Sequence, residues 1–219
     1  MYQHKFTNTD TAPLAAGKAV CVGRNYLEHV RELNNEVPEE PLLFIKANHC
    51  FVSMHDALQL PEQGECHNEL EVALLIGETL SKDSTDDPLS AVIGIGLALD
   101  LTLRDVQQRL KDKGHPWERA KAFDGSCPLS HFVPVSAGVE WQNLSFSLTV
   151  NNELRQQGNT RDMMFSCEQL LREIIKVCSL VPGDVVLTGT PKGVGPLLPG
   201  DKLSATLVDL MSVSTVVKN

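Results

Sequence analysis

Cys66-His67-Asn68-Glu69-Leu70-Glu71 is followed directly by the apolar segment Val72-Ala73-Leu74-Leu75-Ile76-Gly77. Because side chains alternate between the two faces of a β-strand, Glu69 and Glu71 are predicted to point the same way. The opposite face receives Leu70, Val72, Leu74 and Ile76. Since Ala73 and Leu75 continue the carboxylate face, both faces of the strand become apolar. The two carboxylates are therefore expected at the end of a buried strand.

A second apolar run adds a third carboxylate, because residues 91–99 lead directly into Asp100. Two carboxylates about 5 Å apart repel each other by roughly 3 kcal/mol at an effective dielectric constant of about 20, so a shared proton or a cation is expected between them. Glu69, Glu71 and Asp100 together suit a hard divalent cation such as Mg²⁺. His67 shares the parity of the two glutamates, and as a further ligand it would make zinc or manganese conceivable. The ordinary alternatives are solvated carboxylates and a hydrogen-bonded histidine at a strand start.

Composition and charge narrow the class of protein. The chain has 219 residues, and 19 Lys and Arg against 28 Asp and Glu give a net charge of −9. This charge repels phosphate backbones and anionic membranes, so neither nucleic-acid nor membrane binding is expected. The six cysteines include no CxxC pair and are typical of buried thiols in a reducing compartment. The start of the chain lacks an apolar signal core, which predicts a cytoplasmic protein. We expect one domain over residues 1–219, with a short N-terminal segment at 1–18.

A short helix is predicted after the apolar strand at 19–23, with Asn25 and Glu28 as its capping box. His29 and Glu32 are three residues apart and would be neighbours on one face of this helix. A solvated face is the ordinary interpretation of such a pair. However, the polar and proline-containing residues that follow would anchor the helix poorly, which favours a movable lid over about 25–40. A histidine oriented by a glutamate on a lid is suited to act as a general base.

Two further helices show start signals. Thr102 and Asp105 resemble a capping box for a helix that Gly114 ends, and Ser166 with Gln169 caps the clearest helical pattern in the chain. The glycine-rich segment at 189–195 lacks the residues of a phosphate-binding loop. It predicts instead a tight loop that offers the Thr190 hydroxyl and backbone amides to a small anion.

Four motifs occur between Val20 and the end of the chain: Val22-Gly23-Arg24-Asn25-Tyr26 with His29, His67-x-Glu69-Leu70-Glu71, Leu99-Asp100-Leu101-Thr102-x-Arg104-Asp105-Val106-Gln107, and Leu187-Thr188-Gly189-Thr190-Pro191-x-Gly193-Val194-Gly195. Together they resemble the fumarylacetoacetate hydrolase superfamily, in its small single-domain branch of acylpyruvate hydrolases and oxaloacetate decarboxylases. The resemblance implies a β-rich α+β fold, a mixed β-roll or sandwich with a few peripheral helices, and a homodimer. It also implies Mg²⁺ or Mn²⁺ on the three carboxylates, a His29–Glu32 dyad that activates water, and assistance from Lys121.

The resemblance leaves several reactions open, because hydrolases, decarboxylases, isomerases and tautomerases of this superfamily share the metal motif. Our first expectation is hydrolysis of acylpyruvates to pyruvate and a carboxylic acid, with oxaloacetate decarboxylation as a second activity. An isomerase or tautomerase acting on oxaloacetate or a hydroxymuconate-type diacid is the alternative enzyme. A non-catalytic protein stabilised by a metal is the alternative of another class. The candidates for holding a 2-oxo acid substrate are Arg24, Tyr26, Lys46, Arg104, Gln107 and Thr190.

Overall fold

The computed structural model describes residues 2–8, 14–85, 87–135 and 138–218 of the chain. Within these residues the α-helices are α1 (Leu27–Glu32), α2 (Arg104–Asp112), α3 (Glu118–Lys121) and α4 (Cys167–Val177). The strands are β1 (Gln3–His4), β2 (Leu14–Ala15), β3 (Ala19–Gly23), β4 (Leu42–Lys46), β5 (Phe51–Ser53), β6 (Cys66–Asn68), β7 (Leu70–Ile76), β8 (Val92–Leu99), β9 (Thr102–Leu103), β10 (Cys127–Leu129), β11 (Val133–Pro134), β12 (Ser145–Val150), β13 (Glu153–Asn159), β14 (Val185–Leu187), β15 (Gly195–Pro196), β16 (Lys202–Leu207) and β17 (Met211–Val216).

The largest sheet has eight strands in the order β4-β3-β14-β7-β8-β10-β5, with β11 added on β8. A four-stranded sheet follows the order β13-β12-β16-β17, and smaller sheets are formed by β15-β6-β9 and by β1-β2. The pairs β3–β14 and β5–β10 are parallel, whereas β7 is antiparallel to both of its neighbours. The predicted β-rich, mixed α+β fold is therefore confirmed.

Strand β7 lies at the centre of the core, and every one of its residues is buried. Its two faces contact different apolar clusters. Leu70, Val72, Leu74 and Ile76 belong to one cluster. Ala73 and Leu75 belong to the other, together with Phe51 and Phe132. This division follows the alternation predicted from the sequence, and it places Glu71 in line with Ala73 and Leu75 at the start of the strand.

The chain changes sheets at Glu69, which differs from the single strand that the sequence pattern predicts. Strand β6 ends at Asn68 and pairs with β9 and β15, whereas β7 begins at Leu70 and pairs with β8 and β14. The register of β7 with β8 places Leu70 opposite Leu99, and Asp100 N donates to Glu69 O at 2.8 Å. This register is what brings the third carboxylate beside the first two.

Of the three predicted helix caps, the structure contains one and lacks two. Ser166 and Gln169 form the predicted capping box of α4. In contrast, α1 begins at Leu27 without a side-chain cap, and α2 begins at Arg104 without one. The Asn25 side chain is instead used in tertiary contacts, because its amide donates to the carbonyls of Phe165 at 3.0 Å and Thr188 at 2.8 Å. Among the residues described, no helix has the length and apolarity needed to span a bilayer.

Candidate functional site

Glu69, Glu71 and Asp100 form one buried acidic cluster. A carboxylate oxygen from each lies within 4.8 Å of the other two. The exposed fractions are 4% for Glu69 and 1% for both Glu71 and Asp100. Buried charges are costly unless they are paired or bind a metal, so this cluster requires compensating positive charge.

Three cationic side chains supply part of that charge. Lys121, at the end of α3, places Nζ 2.7 Å from Glu69 Oε2 and 2.6 Å from Asp100 Oδ2. Lys46, at the end of β4, places Nζ 2.8 Å from Asp100 Oδ1. Arg104, at the start of α2, forms an ion pair with Glu69. Lys121, for which the family resemblance implies an assisting role, is 3% exposed and bridges two members of the acidic cluster.

The surroundings shift the pKa values of the two glutamates in opposite directions. Burial alone would raise the pKa of Glu69, but the charges of Lys121 and Arg104 outweigh it and hold that pKa well below its ordinary value. Burial, followed by repulsion from Asp100 and Glu69, raises the pKa of Glu71 well above its ordinary value. Among the described residues, no lysine, arginine or histidine forms an ion pair with Glu71. One buried carboxylate of the cluster therefore lacks a cationic partner.

This donor set fits a hard divalent cation. All three candidate ligands are carboxylates, which Mg²⁺ and Mn²⁺ prefer, and the unpaired Glu71 is the position where added positive charge would relieve the most repulsion. His67 does not belong to the cluster, because its Nε2 bonds to the Glu65 carboxylate instead. An all-oxygen set gives no support to the zinc alternative.

The predicted His29–Glu32 dyad is connected to the acidic cluster through the loop at 189–193, whose backbone amides donate to both Glu32 and Glu71. His29 is 5% exposed, and its Nδ1 lies 3.2 Å from Glu32 Oε2. The other oxygen of Glu32, Oε1, accepts a hydrogen bond from Gly193 N at 2.9 Å. Burial alone would raise the pKa of Glu32, but the hydrogen bonds from His29 and Gly193 lower it. Glu32 is therefore held ionised, in the form that orients and supports an imidazole.

The predicted lid is tied to the body of the protein at several points. Besides Glu32, the exposed Glu28 pairs with Lys192 at 2.9 Å on the same glycine-rich loop. Asn35, beyond the helix, accepts a hydrogen bond from Lys111 Nζ of α2 at 2.7 Å. In this structure α1 is thus docked on the 189–193 loop. Movement of the lid stays a prediction.

The 189–193 loop also contacts the acidic cluster. Gly189 N donates to Glu71 Oε2 at 2.7 Å, and Gly189 adopts φ +99°, where a side chain would collide with Asn25. Thr190 Oγ1 donates to Leu70 O at 2.9 Å and accepts from the side chain of Gln156 at 2.7 Å. The only hydroxyl proton of Thr190 is therefore committed to the protein. Any anion held at this position would be bound through backbone amides.

The other substrate-binding candidates fall into different environments. Gln107 is buried beside the cluster and accepts from Arg104 at 2.7 Å, so these two are joined to Glu69. Arg24 is half-buried and donates to Glu36 O at 3.3 Å, within the predicted lid. Tyr26 lines a cavity of about 390 Å³ beside α1, and its buried hydroxyl has no hydrogen-bond partner in the part of the chain described.

Lys46 stands apart from these candidates. Its side chain is fully buried, and Nζ donates to the carbonyls of Leu101 at 3.1 Å, Ser126 at 2.9 Å and Lys121 in addition to its ion pair with Asp100. An ammonium group has only three protons to donate. The three carbonyls accept all of them, so Lys46 interacts with Asp100 through charge alone and has no proton left to donate to a substrate.

The sequence of the chain matches a known protein family. The model of the fumarylacetoacetate (FAA) hydrolase C-terminal family matches residues 18–218. The chain belongs to this family. It is 48% identical over 208 residues to the oxaloacetate tautomerase YcgM of Escherichia coli K12, covering 94% of this chain and 95% of that protein. It is 41% identical over 200 residues to the mitochondrial oxaloacetate tautomerase FAHD1 of Bos taurus, covering 91% and 90%.

A solved structure extends the comparison to another activity. The fumarylpyruvate hydrolase from Pseudomonas aeruginosa, in complex with Mn²⁺ and pyruvate, superposes with a TM-score of 0.92 at 30% identity. The match covers 99% of this chain and 95% of that one. Members of the fumarylacetoacetate hydrolase family with this fold therefore include both tautomerases and a manganese-bound hydrolase.

Sequence reasoning missed two polar residues that organise the site of this family member. Asn25 was interpreted as a helix cap, and Gln156 lies in β13, a strand of mixed polar residues that showed no motif. The Gln156 side chain is 1% exposed and reaches from the four-stranded sheet to the acidic cluster's strand. A long polar side chain at an inward position of a strand was the only signal available.

Proposed function

We propose that the chain is a divalent-metal-dependent oxaloacetate tautomerase, which interconverts the keto and enol forms of this 2-oxo diacid. The observation that carries the proposal is the His29–Glu32 pair, which is bound by the same loop as Glu71 of the three-carboxylate cluster. The names of the relatives support the choice of reaction. Identity is 48% and 41% with the two tautomerases, against 30% with the fumarylpyruvate hydrolase.

The charges of the site favour an anionic substrate. The carboxylates of Glu69, Glu71 and Asp100 are matched in number by the cations Lys46, Lys121 and Arg104. A bound divalent cation would leave this buried region with surplus positive charge, even with the ionised Glu32 nearby. A 2-oxo acid is an anion at neutral pH and would offset the surplus, because buried charge is least costly when it is compensated.

The metal would be held by Glu69, Glu71 and Asp100, and Mg²⁺ or Mn²⁺ would suit these ligands. When bound, such an ion supplies Lewis-acid stabilisation for negative charge on the keto oxygen of a 2-oxo acid. Lys121 lies against two of the ligands and would add positive charge close to the same oxygen. Arg104 and Gln107, which are bonded to each other, would face the substrate carboxylate beside Glu69.

His29 would move the proton. With the proton on Nδ1 donated to Glu32, the neutral ring keeps its Nε2 lone pair free to accept one. In the keto-to-enol direction the C3–H bond breaks, its proton passes to Nε2, and its electron pair forms the C2–C3 double bond. The electron pair of the C2–O double bond moves onto the keto oxygen, which takes the proton back from Nε2, so the base is regenerated, no water is consumed and no carbon–carbon bond breaks. A positioned general base of this kind contributes roughly 10²–10⁴ to a rate.

Hydrolysis of acylpyruvates, our first expectation from sequence, is the second candidate. It is favoured by the likeness to the fumarylpyruvate hydrolase that was solved with Mn²⁺ and pyruvate. The same dyad would deprotonate a water molecule instead of a carbon, and the hydroxide would add to the distal carbonyl carbon. The bond from that carbon to C3 would then break, and C3 would take up the proton. Fumarylpyruvate is also an anion at neutral pH, so the charges of the site do not separate it from oxaloacetate.

One assay separates the two candidates. Purified protein with Mg²⁺ is given enol-oxaloacetate, fumarylpyruvate and acetylpyruvate in parallel, and enol loss and pyruvate release are followed. We expect conversion of enol- to keto-oxaloacetate well above the rate without enzyme, and far slower release of pyruvate from the other two. Fast pyruvate release from fumarylpyruvate with no acceleration of the oxaloacetate reaction would establish the hydrolase instead.

The assembly and location of the protein remain predictions. We propose a homodimer in the cytoplasm without nucleic-acid or membrane partners, on the basis of the family resemblance and the net charge of −9.

A further inference from the structure

Gln156 is a buried polar residue that connects two separate sheets at the site. It lies on β13 of the four-stranded sheet, whereas the acidic cluster is built on β7 and β8 of the eight-stranded sheet. Its carboxamide oxygen accepts from Leu70 N and from Asn68 Nδ2, both at 2.8 Å. Its carboxamide nitrogen donates to Thr190 Oγ1 at 2.7 Å and to Pro191 O at 3.0 Å. Both the oxygen and the nitrogen of the carboxamide therefore have two hydrogen-bond partners each.

The first pair of hydrogen bonds acts on the backbone between the two glutamates. Leu70 separates Glu69 from Glu71, and it is the first residue of β7, directly after the chain changes sheets at Glu69. Its N–H is bound by Gln156 and its carbonyl by Thr190. The peptide groups from which both carboxylates project are thus fixed by side chains rather than by a strand neighbour alone.

The second pair acts on the loop that holds the predicted base. Gln156 binds Thr190 and Pro191, and the same loop continues to Gly193, whose N–H supports Glu32. Gly193 adopts φ +98°, and a Cβ there would lie 1.8 Å from the carbonyl oxygen of Arg155, next to Gln156 in the chain. The loop is therefore packed closely onto β13 at the point where Gln156 binds it.

We propose that Gln156 is a positioning residue that sets the two glutamates of the acidic cluster and the Glu32-binding loop at a fixed distance from each other. The role requires an acceptor toward β7 and a donor toward the loop, which a carboxamide provides and an apolar or acidic side chain does not. Removal of a group that orients metal ligands changes metal affinity or activity by roughly 10–100-fold. The inference rests on the proposed metal site, and it does not depend on which reaction the enzyme catalyses.

The test is Mn²⁺ affinity without substrate, measured from the electron paramagnetic resonance signal of free Mn²⁺. Gln156→Leu keeps the size of the side chain and removes its four hydrogen bonds. We expect the dissociation constant to rise by about tenfold or more, in line with other supporting groups. Gln157→Leu is the matched control, because the adjacent Gln157 is exposed on the same strand, and its affinity should equal that of the wild type.

Thr190→Val tests the same link from its other end, and it leaves Gln156 in place. It removes the donor to Leu70 O and the acceptor of Gln156, so Mn²⁺ affinity should fall in this variant as well. Circular dichroism establishes that each variant is folded. Wild-type Mn²⁺ affinity in folded Gln156→Leu or folded Thr190→Val would overturn the proposal. Failure of the wild type to bind Mn²⁺ would overturn the metal site together with it.

Turnover at saturating Mn²⁺ tests the connection to the loop. If Gln156 only supported the metal ligands, excess Mn²⁺ would restore kcat of Gln156→Leu to the wild-type value. We expect kcat to stay reduced by about tenfold or more, because the loop that supports Glu32 is also displaced. Complete restoration of kcat by Mn²⁺ would show that Gln156 does not position the loop. Because Mn²⁺ affinity is measured without substrate, a wrong assignment of the reaction would leave that result intact.

Discussion

Replacing Glu71 by glutamine is expected to abolish high-affinity Mn²⁺ binding and, with it, tautomerase activity. The Glu71→Gln change keeps the volume of the side chain and an acceptor for Gly189 N, but it removes one of three negative charges. The loss in affinity should exceed about 100-fold, the upper end of what is seen when only a supporting group is removed. The metal-free variant should be at least as stable as the wild type, because a buried carboxyl without a cationic partner disappears.

Two measurements check this prediction. Mn²⁺ titration gives the affinity, and thermal unfolding with and without Mn²⁺ gives the stabilisation that binding confers. Glu78→Gln is the control, since Glu78 is exposed in the turn after β7 and should behave as the wild type in both. A folded Glu71→Gln protein that binds Mn²⁺ with wild-type affinity would show that the acidic cluster is not the metal site.

Removing the imidazole of His29 should slow oxaloacetate tautomerisation by roughly 10²–10⁴-fold, the usual contribution of a general base. In His29→Ala, Glu32 and the acidic cluster remain, so the protein loses the group that accepts the C3 proton and keeps the metal ligands. Mn²⁺ affinity should therefore stay close to that of the wild type. This combination distinguishes a lost base from a damaged metal site.

The comparison uses initial rates of enol-oxaloacetate consumption at saturating Mg²⁺. His115→Ala is a suitable control, because His115 is exposed beyond the end of α2 and should retain full activity. Wild-type turnover in His29→Ala would assign the proton transfer to another group, and a parallel loss of Mn²⁺ binding would indicate that His29 acts mainly through the acidic cluster.

The parts of the fold that sequence predicts are those governed by local pattern. Alternation in 66–77 correctly separates the two faces of β7, and the Ser166 capping box correctly begins α4. Both signals depend on neighbours in the chain, and hydrophobic burial reinforces them. The three carboxylates were found for the same reason, since each lies at the end of an apolar run.

The parts that sequence does not predict depend on long-range contacts. Asn25 and Thr102 have the residue types of helix caps, yet Asn25 bonds to Phe165 and Thr188, and Thr102 bonds to the carbonyl of Asp100. Buried polar side chains form hydrogen bonds with other buried polar groups, and in these two cases the sequence does not indicate which group is the partner. The burial of Lys121 and the bridging position of Gln156 depend on long-range contacts in the same way.

Choosing between tautomerase and hydrolase is a different kind of problem. In the two proposed mechanisms both reactions would use the same acidic cluster and the same histidine, and they would differ in whether the base takes a proton from carbon or from water. Residues that bind the reacting groups are therefore shared, and the sequence motifs that reveal them do not separate the two reactions.

The most direct test of the central claim is the face on which the new C3 proton arrives. Enol-oxaloacetate is converted in D₂O with Mg²⁺, and excess malate dehydrogenase and NADH trap the keto product as malate for NMR analysis. A base fixed by Glu32 on one side of the substrate should deliver deuterium to one face, so wild-type protein should give a single C3-deuterated diastereomer of malate. Equal amounts of the two diastereomers, as formed without enzyme, would contradict proton transfer by a positioned His29.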